Sequence, residues 1–104
     1  MILDERTYTL VPSRKAGFLV EYERRGLPIQ SRVLGRLVGY FETEVGTVNQ
    51  IVHIWAYEDQ GDRERRRTAL QNDAEWQAFV RDTIDCVDKM ENRILKPTSF
   101  SPLR

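Results

Sequence analysis

The chain has 104 residues, which fits a single domain over residues 1–104 and leaves no room for a second. Sixteen basic residues balance sixteen acidic ones, so no global field draws the protein to nucleic acid or to an anionic membrane, and neither partner is expected. Cys86 is the lone cysteine and His53 the lone histidine, which excludes an intramolecular disulfide and argues against a zinc site.

Taken in order, Ile2 to Val11 ends in the β-forming run Tyr8-Thr9-Leu10-Val11 and stops at Pro12, which predicts a first strand. Asp4, Glu5 and Arg6 break its apolar character, so it reads as neither signal nor transit peptide. No apolar run approaches the ~20 residues that span a bilayer. A cytoplasmic location is expected.

Pro12-Ser13 opens a helix in which Ser13 is placed to cap the first turn and Phe18, Leu19 and Tyr22 form the apolar set. Gly26 is expected to supply a left-handed stop, reinforced by Pro28, with a further helical turn from Ile29 to Gly35. Arg36 to Glu44 and Asn49 to Tyr57 read as strands joined by a two-residue turn at Val45-Gly46. Asp59 to Leu70 reads as a helix carrying the charge run Asp62 to Arg67. Asp73 caps a second helix, with Trp76, Phe79, Val80, Ile84 and Val87 as its apolar stripe. A last strand runs from Glu91 to Leu95 and ends before Pro97.

This order, β-α-β-β-α(α)-β, is that of an α+β, ferredoxin-like βαββαβ unit with both helical layers on one face of a four-stranded antiparallel sheet. The other face needs cover, since so short a sheet cannot leave aromatic residues in water. A second copy packed face to face would close a dimeric α/β-barrel, and a homodimer is expected.

The hairpin sorts by polarity. Val52, Ile54 and Ala56 form a compact apolar face, with Leu37, Gly39 and Phe41 as its counterpart on the preceding strand. Asn49, Ile51, His53, Trp55 and Tyr57, with Arg36, Val38, Tyr40, Glu42 and Glu44, mix polar tips with aromatic bodies. A two-residue turn pairs Glu44 with Thr47 and Tyr40 with Ile51, matching like with like. The apolar face is then expected under the helices and the mixed face in a cavity at the dimer centre.

The candidate pocket residues follow from that choice: Tyr40, His53, Trp55, Tyr57, Asn49 and Glu42. His53 reads either as a base or ligand holder near neutral pH or as a hydrogen-bonding structural group, and nothing at fixed spacing makes a dyad with it. Trp55, Tyr57 and Tyr40 read as pocket walls for a small organic metabolite or as a dimer seam. Glu42 and Glu44 read as paired carboxylates or as a solvated hairpin end. Asn49 reads as a loop-fixing amide, Arg63 to Arg67 as a solvated helix face or an oxyanion grip, and Cys86 as a packing thiol. No phosphate loop, nucleophile elbow or metalloprotease motif is present, and no metal or cofactor is expected.

The segments Leu37 to Gly46 and Asn49 to Asp59 resemble the central strands of NIPSNAP proteins. Arg63, Arg67, Asp73, Glu75-Trp76 and Phe79 resemble the helical signature of that family, and Asn92 to Pro97 its closing strand. The chain is similar to a bacterial member. The resemblance implies a dimeric α/β-barrel related in fold to monooxygenases of the antibiotic-biosynthesis type, and it implies no agreed catalytic residues. Three roles stay open: a dimer with a small-ligand cavity, a cofactor-free oxygenase or isomerase using His53 and Tyr40 to handle protons, and a protein-interaction dimer.

Overall fold

In the computed structural model, which describes all 104 residues, the first strand β1 runs over Ile2–Leu10. Pro12 lacks an amide to extend the ladder, and the chain tightens into one 3-10 turn, closed where the Arg14 amide donates to the Val11 carbonyl at 2.8 Å. Helix α1 (Lys15–Glu21) follows directly. Ser13 therefore caps nothing: it lies exposed inside a turn that Pro12 has already begun, and no side chain caps α1.

Gly26 is not a left-handed stop either. Its φ is −73°, and the helix continues through a π-helical stretch, Tyr22–Gly26, into α2 (Leu27–Val33). The Leu27 amide reaches back five residues to the Tyr22 carbonyl, and this wider turn absorbs the break that Pro28 would otherwise impose. Packing demands the glycine, because a Cβ there would stand 2.7 Å from the Tyr22 ring and 3.0 Å from Phe79. The left-handed residue that ends the helical region is Gly35, at φ +91°.

Strands β2 (Leu37–Glu42) and β3 (Gln50–Tyr57) pair antiparallel, with Tyr40 opposite His53 and Glu42 opposite Ile51. The expected register is off by two residues. The connection is a longer loop, closed where the Thr43 amide donates to the Gln50 carbonyl at 3.1 Å, with Gly46 and Asn49 at φ +129° and +61°. A shift of two preserves the side of each residue from Gly39 to Glu42, but a bulge between Leu37 and Gly39 sets Leu37 opposite Trp55, on the side of Tyr40 and not of Phe41 as expected.

Helix α3 (Gln60–Gln71) starts at Asp59, whose carboxylate accepts from the Asp62 amide at 2.7 Å. Helix α4 (Ala74–Thr83) starts at Asp73, which accepts from Trp76 at 2.9 Å. Ile84 falls outside α4, in a 3-10 turn (Ile84–Cys86), and is 53% exposed. Val87 begins β4 (Val87–Leu95), which is longer than Glu91 to Leu95. The apparent stripe thus ran past the helix end into strand residues.

The sheet order is β2-β3-β1-β4, with antiparallel neighbours throughout: a four-stranded ferredoxin-like α+β fold. Helices cover one face, and the thinnest dimension is 19 Å, the thickness of two layers.

The covered face is the one expected to be open. Ile51, His53, Trp55 and Tyr57 are buried; Ile51 packs with Phe18, Tyr22 and Phe79, and Trp55 with Ile29, Leu34 and Leu70. Phe79 and Trp76 therefore pack over the mixed face of β3, and Val52 and Ile54 lie on the opposite side. The reason is area. Trp55, Tyr57 and Ile51 remove far more apolar surface from water than Val52, Ile54 and Ala56, and this outweighs their few polar tips.

Candidate functional site

Because side chains alternate along strands, residues facing each other across β2, β3, β1 and β4 form rows beneath the helices. One row is Tyr40–His53–Arg6–Asn92 and the next is Leu37–Trp55–Asp4–Ile94. Two of the six predicted pocket residues, Tyr40 and His53, line one small cavity with Tyr8, Tyr22, Phe79 and Val80, and Trp55 bonds to His53. The volume is about 40 Å³, room for about one or two water-sized groups. The lining is almost wholly apolar.

His53 is fixed from three sides. The Tyr40 ring stacks on it at 4.7 Å, the Tyr8 ring meets it edge-on at 4.8 Å, and the Trp55 indole N–H donates to its Nδ1 at 3.0 Å. An indole nitrogen can only donate, so Nδ1 is the acceptor and the imidazole hydrogen sits on Nε2. That Nε2–H is buried and has no partner. Burial, aided by the Arg6 guanidinium, pushes the His53 pKa down to about 3. Burial also holds the Tyr40 hydroxyl well above its usual range. Near neutral pH both groups are held uncharged, and together they present a fixed imidazole N–H and a free hydroxyl.

The remaining predicted residues lie elsewhere. Tyr57 shares the face of β3 but sits at a separate surface cleft with Leu34 and Arg36. Glu42 pairs with Lys15 at 2.8 Å on the surface, and Glu44 is exposed. Asn49 is a left-handed loop residue whose carbonyl accepts from the Leu10 amide at 2.8 Å. Cys86 packs at the edge of the core.

What the sequence reading missed is that Asp4 and Arg6 join Arg63 of the charge run in a cluster beside the cavity. Asp4, wholly buried, accepts from Arg6 Nη1 at 3.2 Å, Arg63 Nε at 3.0 Å and Asn92 Nδ2 at 3.1 Å. Burial alone would raise its pKa, but the Asn92 hydrogen bond and the Arg6 and Arg63 charges hold it below the ordinary value. Arg6 also donates to the Tyr8 hydroxyl at 3.3 Å. Arg67 reaches the same region from α3, where burial and the neighbouring Arg6 charge lower its pKa. Its Nη1 and the neighbouring Tyr57 hydroxyl are both buried, and neither makes a hydrogen bond of good geometry. Each such orphan costs about 1–3 kcal/mol relative to a satisfied group. Helical spacing carried the signal: Arg63 and Arg67 share a face of α3 with buried Leu70, whereas Arg66 pairs with Asp62 as a solvated i,i+4 partner should. No three His, Cys, Asp or Glu side chains come together as a metal set.

Residues 3–102 match the family model described as NIPSNAP. The chain belongs to the NIPSNAP family. It is 32% identical over 106 residues to Protein NipSnap homolog 1 of Danio rerio, covering 99% of this chain and 36% of that protein. A NIPSNAP-like domain protein from Burkholderia xenovorans is 50% identical, with a TM-score of 0.92 over 97% of this chain and 88% of that one. A NIPSNAP family protein from Agrobacterium tumefaciens is 41% identical, with a TM-score of 0.96 over 99% and 98%. The chain spans about a third or less of the length of the curated NipSnap relatives from fish, worm and human. A protein of Nitrosomonas europaea assigned to the antibiotic biosynthesis monooxygenases shares the fold at a TM-score of 0.69 over 93% of this chain and 98% of that one, with 11% identity, so the likeness is one of architecture alone. No helix in this NIPSNAP chain is long and apolar enough to cross a membrane.

Proposed function

We propose that this protein is a homodimeric binding module, each subunit holding a small organic molecule in the aromatic cavity around His53. The observation that carries the ligand reading is the buried, unpartnered His53 Nε2–H beside the unpartnered Tyr40 hydroxyl. A core that needed only to be filled would place apolar groups there, without the desolvation penalty. The depressed pKa of His53 makes it a hydrogen-bond donor rather than a base, which favours binding over proton transfer.

Dimerisation rests on the open sheet face. Phe41 is 55% exposed there, next to Val52 and Ile54, and Val45 and Val48 of the hairpin loop are more exposed still. A second copy laid across this face would bury at least ~1,200 Å². Sedimentation velocity at micromolar concentration is expected to give a dimer, and Phe41→Glu a monomer. A wild-type monomer would remove this part of the proposal.

The cavity is tested with a small neutral probe. Propionamide is expected to bind saturably and to shift the side-chain N–H signals of His53 and Trp55 in NMR spectra. Absence of any shift up to high millimolar concentration would leave a protein-interaction dimer as the better reading. The small volume of about 40 Å³ favours that second reading.

A further inference from the structure

Two guanidinium groups, Arg6 and Arg63, pair with one carboxylate, Asp4, beneath the helices, and a third, Arg67, lies near enough to feel the charges of Arg6 and Asp4. The Asp4 oxygens are already occupied by Arg6, Arg63 and Asn92, and no other acidic side chain pairs with any of the three arginines. Glu5, the nearest acidic residue in sequence, belongs to the opposite face of β1, where it pairs with Arg93 at 2.8 Å. Arg6 and Arg63 are only 13% and 20% exposed, so solvent does little to neutralise them. Three guanidinium groups thus share one carboxylate in a shielded place, and Arg67 Nη1 is left without a hydrogen bond. An excess of buried guanidinium over carboxylate is costly in the empty protein and is offset when an anion joins it.

The cluster also shares a wall with the aromatic cavity. Arg6 and His53 face each other across β1 and β3, and Arg6 donates to Tyr8, which lines the cavity with His53. We propose that Arg6, Arg67 and the His53 Nε2–H bind the carboxylate of a small organic acid, whose apolar end enters the cavity between Tyr8, Tyr40 and Phe79. This deepens the binding-module reading and rests on it. The cavity sets the size, because its volume of about 40 Å³ admits a tail of only about one or two carbon atoms. The guanidinium forks set the charge, since a planar carboxylate accepts from two arginines and an imidazole N–H together.

The test compares propionate, propionamide and inorganic phosphate on the whole chain, by calorimetry and by the side-chain N–H signals of Arg67 and His53. Propionate is expected to bind at least tenfold tighter than propionamide and to shift both signals. Arg67→Gln is expected to lose at least tenfold in propionate affinity, to leave propionamide unchanged, and to melt no lower than the original, because it relieves repulsion with Arg6. Equal affinities for propionate and propionamide would overturn the anion site while leaving the neutral cavity standing. Binding of none of the three would overturn both. Phosphate bound as tightly as propionate would overturn the organic-acid class, and a marked loss of stability in Arg67→Gln would make Arg67 a structural residue. The propionate-to-propionamide ratio in the unsubstituted chain reads the charge preference even if the variant does not fold.

Discussion

His53 carries a consequence in acid. Its folded pKa is about 3 and its ordinary value 6.5, so between those pH values the unfolded chain takes up a proton that the folded one refuses. Stability is therefore full above about pH 6.5 and falls as the pH drops towards 3. Asp4, held below its ordinary value, adds a loss in the same direction at the acid end. Urea midpoints are expected to fall between pH 7 and pH 5, and His53→Gln to flatten that fall; an unchanged slope in the variant would show that His53 protonates in the fold. Phe79, 2% exposed and packed on Phe18, Tyr22 and Trp76, makes a simpler case. Phe79→Ala is expected to cost about 3–5 kcal/mol in a urea titration. At this scale the sequence named His53 and Tyr40 but passed over Asp4 and Arg6, because charged residues on an N-terminal strand read as a solvated edge. They lie instead on one of the two central strands of the sheet, and strand order is written in contacts between distant segments.

Among the elements, those whose ends depend on one local bond were legible: Asp59 and Asp73 both cap as their side-chain chemistry dictates. The hairpin was legible in parity from Gly39 to Glu42 and not in length, since alternation says nothing about two residues more or fewer of loop, nor about the bulge that turns Leu37 to the other side. Gly26 was misjudged because its reason lies across the molecule, in the Tyr22 and Phe79 rings. Gly26→Ala should then behave as overpacking and not as the mild gain of helix propensity that an exposed glycine would give. A loss of about 1–3 kcal/mol in thermal unfolding is expected, and any gain in stability would show that the rings move aside.

For the whole molecule, the α+β architecture followed from element order, but the choice of sheet face did not. Both faces of β3 are apolar enough to be buried, and one chain covers only one of them. The ranking depended on total aromatic area, which alternation alone does not weigh. The strand order also governs how the fold forms. Only β2 and β3 are neighbours in both sequence and space; β1 must find β3 across the helical region, and Leu3 meets Leu95 across nearly the entire chain. Such long loops close slowly, so refolding should be slower than for a helical bundle of this length. In stopped-flow experiments Val52→Ala should slow refolding, because the hairpin forms early, while Leu95→Ala should chiefly hasten unfolding. If so, β4 is the last strand to join the sheet and the first to leave it.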